Sequence, residues 1–60
     1  MKFQVAVRVF NVGKYALKKG DIFEIVSSYP KNGVVVINST YFEEPVEISM
    51  QEIEIHCEKI

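Results

Sequence analysis

Leu17-Lys18-Lys19-Gly20-Asp21-Ile22-Phe23-Glu24-Ile25-Val26 is a turn that runs straight into a strand. Gly20 supplies a backbone geometry that a Cβ would obstruct. Asp21 can accept hydrogen bonds from the amides of the turn, and Lys18 and Lys19 keep its tip in water, where charge runs at turns usually lie. Phe23 and Ile25 then alternate with Glu24, the period-two pattern of a strand with one buried face, in residues of high strand propensity. The lysines therefore read as turn residues, and the inward face of the strand starts at Phe23.

The same period extends upstream. Phe3, Val5, Val7 and Val9 alternate with Lys2, Gln4, Ala6 and Arg8, which predicts a half-buried first strand. Asn11-Val12-Gly13 breaks the pattern, and Asn11 to Lys19 reads as a long first loop. Downstream, Tyr29-Pro30-Lys31-Asn32-Gly33 is the clearest turn in the chain: Pro30 fixes one dihedral, and Asn32-Gly33 tolerates positive φ. Val34 to Ile37 is apolar on both faces and reads as a central strand. Glu43-Glu44-Pro45 closes a second hairpin onto a short return strand, Val46-Glu47-Ile48. Ser49-Met50-Gln51-Glu52 has the spacing of a capping box and, with so little room, predicts a single helical or 3₁₀ turn. Ile53, Ile55 and Cys57 alternate with Glu54, His56 and Glu58, predicting a last strand. No segment shows a sustained 3.6-residue apolar period. The expected core is Phe3, Val5, Val7, Leu17, Phe23, Ile25, Val35, Ile48, Ile53 and Ile55.

The expected fold is thus all-β: five short strands, with one 3₁₀ or helical turn before the last, closed or nearly closed into a small barrel that hides its edges. That order resembles the SH3-like barrel. The likeness is sharpest at Leu17, Lys18, Lys19, Gly20 and Asp21, which match the diverging turn that launches the second strand in SH3 domains, with Phe23 and Ile25 as the core pair after it. The chain departs from SH3 domains that bind proline-rich peptides. It has no tryptophan; Val34 and Val35 stand where that ring is expected, and Ser49 and Glu52 replace the proline and tyrosine of the helical turn. Stacking prolines needs those rings, so the resemblance implies a bacterial or phage SH3-like module rather than a reader of proline-rich peptides.

Bulk properties set the outer limits. Sixty residues make a single domain, 1–60, and a chain of that size buries only about 60% of its unfolded surface. With 48% hydrophobic and 25% charged residues the chain is too apolar for a disordered one. Its one cysteine allows no internal disulfide and fits a reducing cytoplasm. Gln4 and Arg8 interrupt the apolar stretch after Lys2, which reads against a leader, and no run is long enough to span a bilayer. The net charge is −1, but residues 1–31 carry +4 and residues 32–60 carry −5. Such a split marks either a partner surface or cross-strand pairing between interleaved halves.

Little in the sequence points to catalysis or to a cofactor. Glu54, His56 and Glu58 would share one strand face, a set too open to close around a metal, and Cys57 would face inward as a small apolar residue. Neighbours on a strand point to opposite faces, so His56 cannot activate Cys57 directly. Gly13, Gly20 and Gly33 are isolated and form no phosphate-cradling loop. No enzyme, metal or cofactor is expected. What remains is polar and aromatic: Asn11, Lys14 and Tyr15 in the first loop and Tyr29, Lys31 and Asn32 in the second. In an SH3-like barrel these loops flank one groove. The leading expectation is a non-enzymatic module that binds a protein partner through Lys14, Tyr15, Tyr29, Lys31 and Asn32. One alternative is a nucleic-acid-binding barrel using Lys14, Lys18, Lys19 and Lys31. The other is a phage-type acidic inhibitor that presents the glutamates of residues 43–58 to a basic host protein.

Overall fold

The Leu17–Val26 stretch adopts the turn and strand that its residues predict. The computed structural model describes residues 1–60. The amide of Lys18 donates to Asp21 Oδ2 at 2.8 Å, and the amide of Asp21 donates back to the Lys18 carbonyl at 2.9 Å. Gly20 has φ 95° and its N–H bonds the Val5 carbonyl at 2.9 Å. No atom lies within 4 Å of where a Gly20 Cβ would sit. Glycine is therefore required there by its left-handed φ and not by crowding, a correction to the sequence argument. Gly20→Ala is expected to cost about 1 kcal/mol, while Lys18→Ala and Lys19→Ala stay within about 0.5 kcal/mol of wild type. Thermal melts that give equal losses at all three positions would reject this account of the turn.

Seven strands and two helical segments follow in chain order: β1 (Lys2–Val5), β2 (Val9–Val12), β3 (Tyr15–Lys18), β4 (Ile22–Tyr29), a 3₁₀ turn (Pro30–Asn32), β5 (Val34–Asn38), β6 (Val46–Ser49), α1 (Met50–His56) and β7 (Cys57–Lys59). β6-β5-β4-β1-β7 form a five-stranded sheet, and β2-β3 form a separate two-stranded one. All the pairings are antiparallel. The protein is mostly β, with seven strands in place of the five expected, and neither sheet closes into a barrel. The large sheet ends instead on its short strands, the four residues of β6 and the three of β7, and short edges template little unwanted pairing.

Two segments differ from the sequence reading. The expected first strand stops at Val5, because the Ala6 amide bonds the His56 carbonyl at 2.9 Å and the chain bends over Val7 and Arg8. The bend moves the inward set by one residue: Phe10 and Val12 are buried, and Val9 is 56% exposed. A one-residue change of parity flips every side chain to the other face. The expected first loop is in fact the β2–β3 hairpin, in register Val9↔Lys18 to Val12↔Tyr15. Gly13, at φ 57°, opens its two-residue connection.

The second difference is α1, which runs for seven residues where one turn and a strand were expected. The cap forms, though not as the expected reciprocal box: Ser49 Oγ accepts from the Gln51 amide at 3.2 Å rather than from that of Glu52. Met50, Ile53 and Cys57 lie three and four residues apart and turn one helical stripe toward the core, with Ile53 fully buried. Ile55, expected inside, is 61% exposed.

One core joins both sheets and the helix. Phe3, Val5, Leu17, Phe23, Val35 and Ile53 are buried as expected, together with Phe10, Val12, Ile37 and Cys57. Val7, Ile25 and Ile48 pack at its margin. β5 lies between β4 and β6, as its two-faced apolar run predicts, with Val34 and Val36 half-buried on its second face.

Candidate functional site

The Pro30–Gly33 turn and the residues around it form the smaller and more apolar of two surface pockets. Pro30 starts the 3₁₀ turn, and Gly33 closes it at φ 65° with its N–H on the Pro30 carbonyl at 3.3 Å. The Gly33 carbonyl accepts from the Met50 amide at 2.9 Å, which ties the start of α1 to the turn. On the other side, Met1 reaches β4 by accepting from the Ile25 amide at 2.9 Å. Between these elements opens a pocket of about 350 Å³ whose lining includes Met1, Ile25, Pro30, Val34, Val35 and Met50. Ser28 and Gly33 complete the lining, and no charged side chain enters it. The pocket is an extension of the core to the surface.

Three of the predicted site residues lie at this end. Tyr29 pairs with Val34 across the hairpin and is 48% exposed. Lys31 and Asn32 are exposed in the 3₁₀ turn. The other two lie elsewhere. Tyr15 begins β3, where its ring stacks on Phe42 at 4.3 Å and 15° and its hydroxyl accepts from the Glu43 amide at 2.8 Å. Lys14 Nζ is 3.5 Å from Glu43 Oε1 and 5.5 Å from the Tyr15 ring centre.

Phe42 and Glu43 follow the Asn38 end of β5, whereas Tyr29 faces Val34 at its start. Those ends are four residues, about 13 Å, apart along the strand. The first and second loops therefore do not border one groove, and Lys14 and Tyr15 fasten the β2–β3 hairpin to the β5–β6 connection. The lysines named for nucleic acid are dispersed likewise: Lys14 with Glu43, Lys18 and Lys19 at the β3–β4 turn, Lys31 beside the pocket.

At the C-terminal end, Glu54, His56 and Glu58 do not share a strand face, because α1 carries the first two. His56 Nδ1 is 2.8 Å from the Glu52 carbonyl and must carry the proton there, since a carbonyl only accepts. Its ring stacks on Phe10 with centroids 5.3 Å apart. Cys57 is buried, and burial pushes its thiol from 9.0 up to about 11, which suppresses the thiolate. The folded thiol keeps its proton to higher pH than the unfolded one. The stability this gives is complete below pH 9 and is lost as pH rises toward 11, by up to roughly 2 kcal/mol. Wild type is therefore expected to lose stability relative to Cys57→Ala between pH 9 and 11, and to resist iodoacetamide at pH 8 until urea unfolds it. Equal pH profiles for the two proteins, together with rapid native alkylation, would contradict the placement of Cys57.

The pocket itself was not legible. In the sequence, Pro30 and Gly33 mark only a turn and Met50 only a helical cap, and Met1 belongs to no motif. The available signal was Val34, apolar on the face where an outward polar residue is usual. Comparison with protein families, curated proteins and solved structures finds no match to this chain.

Proposed function

We propose that the protein is a non-enzymatic interaction module that binds a protein partner at the Tyr29–Gly33 end of the β4–β5 hairpin. The observation that carries this reading is the open apolar pocket there, whose lining residues Ser28, Pro30 and Gly33 alternate along the chain with the half-exposed Tyr29 and the exposed Lys31 and Asn32. Tyrosine contributes contact area at low entropic cost, and apolar pockets with polar rims are where binding energy concentrates. Lys14 and Tyr15 contribute by holding the β2–β3 hairpin against the β5–β6 connection. The strand order β6-β5-β4-β1-β7, with a hairpin between β1 and β4 and a helical segment before β7, supports an SH3-like arrangement for the module. The dispersal of the lysines and the Lys14–Glu43 pair lend no weight to the nucleic-acid or acidic-inhibitor readings.

Affinity capture from a lysate of the source cell, compared across variants, tests the reading. The double variant Tyr29→Ser, Lys31→Glu alters exposed residues, so its melting temperature is expected to stay within a few degrees of wild type. It should retain at least about tenfold less of the wild-type partner. Lys14→Ala should retain it in full. A partner lost from Lys14→Ala and kept by the double variant would move the binding surface to the other end of β5.

A further inference from the structure

We propose that the unpaired edge of β4 at Val26–Tyr29 accepts an extended peptide segment as an added strand, with an apolar side chain in the neighbouring pocket and a carboxylate beside Lys31. This rests on the reading of the same end as an interaction surface and names the chemistry that fits it.

β4 is eight residues long, but its two sides are used unequally. Toward β5 it is paired as far as Tyr29↔Val34. Toward β1 the register covers only Ile22 to Glu24, and the last hydrogen bond is that from the Ile25 amide to Met1. No strand lies against Val26–Tyr29 on that side, and all four residues are exposed. A row of free amides and carbonyls in an already extended chain is a template for another extended backbone. None of the four residues is charged and none is proline; the one device that blunts an edge is the bulge at Val26, which leaves Ser27–Tyr29 as its unblunted part. Pro30 and Lys31 come after the end of that stretch.

Three features narrow the occupant. The pocket beside this edge is lined by Ile25, Ser28, Val34, Val35 and Met50 among others and takes an apolar side chain. Lys31 is the only charged residue between Glu24 and Glu43 and is exposed, so a flanking acidic residue is favoured over a basic one. A second copy fits poorly. Antiparallel pairing of Val26–Tyr29 with itself would set Pro30 of the copy opposite Ile25, a position already held by Met1. A free peptide has no such turn to place.

The test uses ¹⁵N-labelled protein and a blocked hexapeptide, acetyl-Glu-Thr-Leu-Thr-Val-Thr-amide, followed by amide NMR shifts. Shifts are expected at Val26–Tyr29 and at Gly33–Val35. N-methylation of alternate peptide amides should weaken binding at least about tenfold, and leucine to alanine about tenfold. Glutamate to lysine should weaken it about threefold, and that preference should reverse in Lys31→Glu. Ser28→Trp, which fills the mouth of the pocket from an exposed position, should remove the shifts while the protein still melts cooperatively. Equal binding of the N-methylated peptide, shifts centred on Lys14, Tyr15 and Phe42, or no shift at millimolar peptide would overturn the proposal. So would shifts of Val26–Tyr29 that depend on protein concentration alone, which would assign the edge to a second copy. If these peptides fail while Tyr29→Ser, Lys31→Glu still loses its captured partner, the interaction surface stands and only the added-strand inference falls.

Discussion

Phe23→Ala is expected to leave the protein largely unfolded at room temperature. Phe23 is 1% exposed, with Phe3 stacked at 6.0 Å and Phe10 tilted at 6.3 Å between ring centres. Truncating a buried phenylalanine costs about 3–5 kcal/mol through lost burial and the cavity left behind. A domain of this length holds about 3–9 kcal/mol in total. Phe23 also joins the two sheets, since Phe3 belongs to β1 and Phe10 to β2, so little remains around it that could collapse into the void. Urea or thermal unfolding gives the measurement. A variant that melts near the wild-type temperature would mean that the inward face of β4 is misassigned.

Ile53→Ala and Ile55→Ala should differ sharply. Ile53 is fully buried in α1 and its truncation should cost about 2–5 kcal/mol. Ile55, in the same helix and 61% exposed, should change stability by less than about 0.5 kcal/mol. A strand over these residues would turn both side chains inward and make the two losses similar. The pair therefore separates helix from strand at the place where the sequence pattern predicts a strand and the structure has a helix. Comparable losses at the two positions would restore the strand.

That disagreement shows what the sequence could carry. Ile53, Ile55 and Cys57 satisfy a period of two, while Met50, Ile53 and Cys57 satisfy the helical spacing equally well, so the apolar residues alone do not decide. The Ser49 cap favoured the helix, and it is formed. At the other end of the chain, alternation from Phe3 to Val9 gave no sign of the bend after Val5, because the bend is produced by bonds to distant residues, Asp21, His56 and Gly20. The diverging turn, by contrast, is largely legible, since the bonds between Lys18 and Asp21 run between residues three apart in sequence; the bond from Gly20 to the Val5 carbonyl is not.

The site followed the same division. The exposure of Tyr29, Lys31 and Asn32 is legible because a Pro-Lys-Asn-Gly turn is local. Tyr15 is not distinguishable from Tyr29 in sequence, because an exposed tyrosine and one stacked on Phe42 look alike there. Whether two loops share a groove depends on which end of β5 each one reaches. That is settled by packing between β3 and the β5–β6 connection, which no local pattern encodes.

The central claim is that a protein partner meets this domain at the Tyr29–Gly33 end. The most direct measurement places a photo-crosslinking amino acid, benzoylphenylalanine, singly at Tyr29, Val9, Thr40 and Glu54, all exposed, and irradiates each variant in the source-cell lysate. Crosslinking to one discrete partner from the Tyr29 position, and from none of the other three, is the predicted result. Crosslinks from the Glu54 or Thr40 position with none from Tyr29 would contradict it.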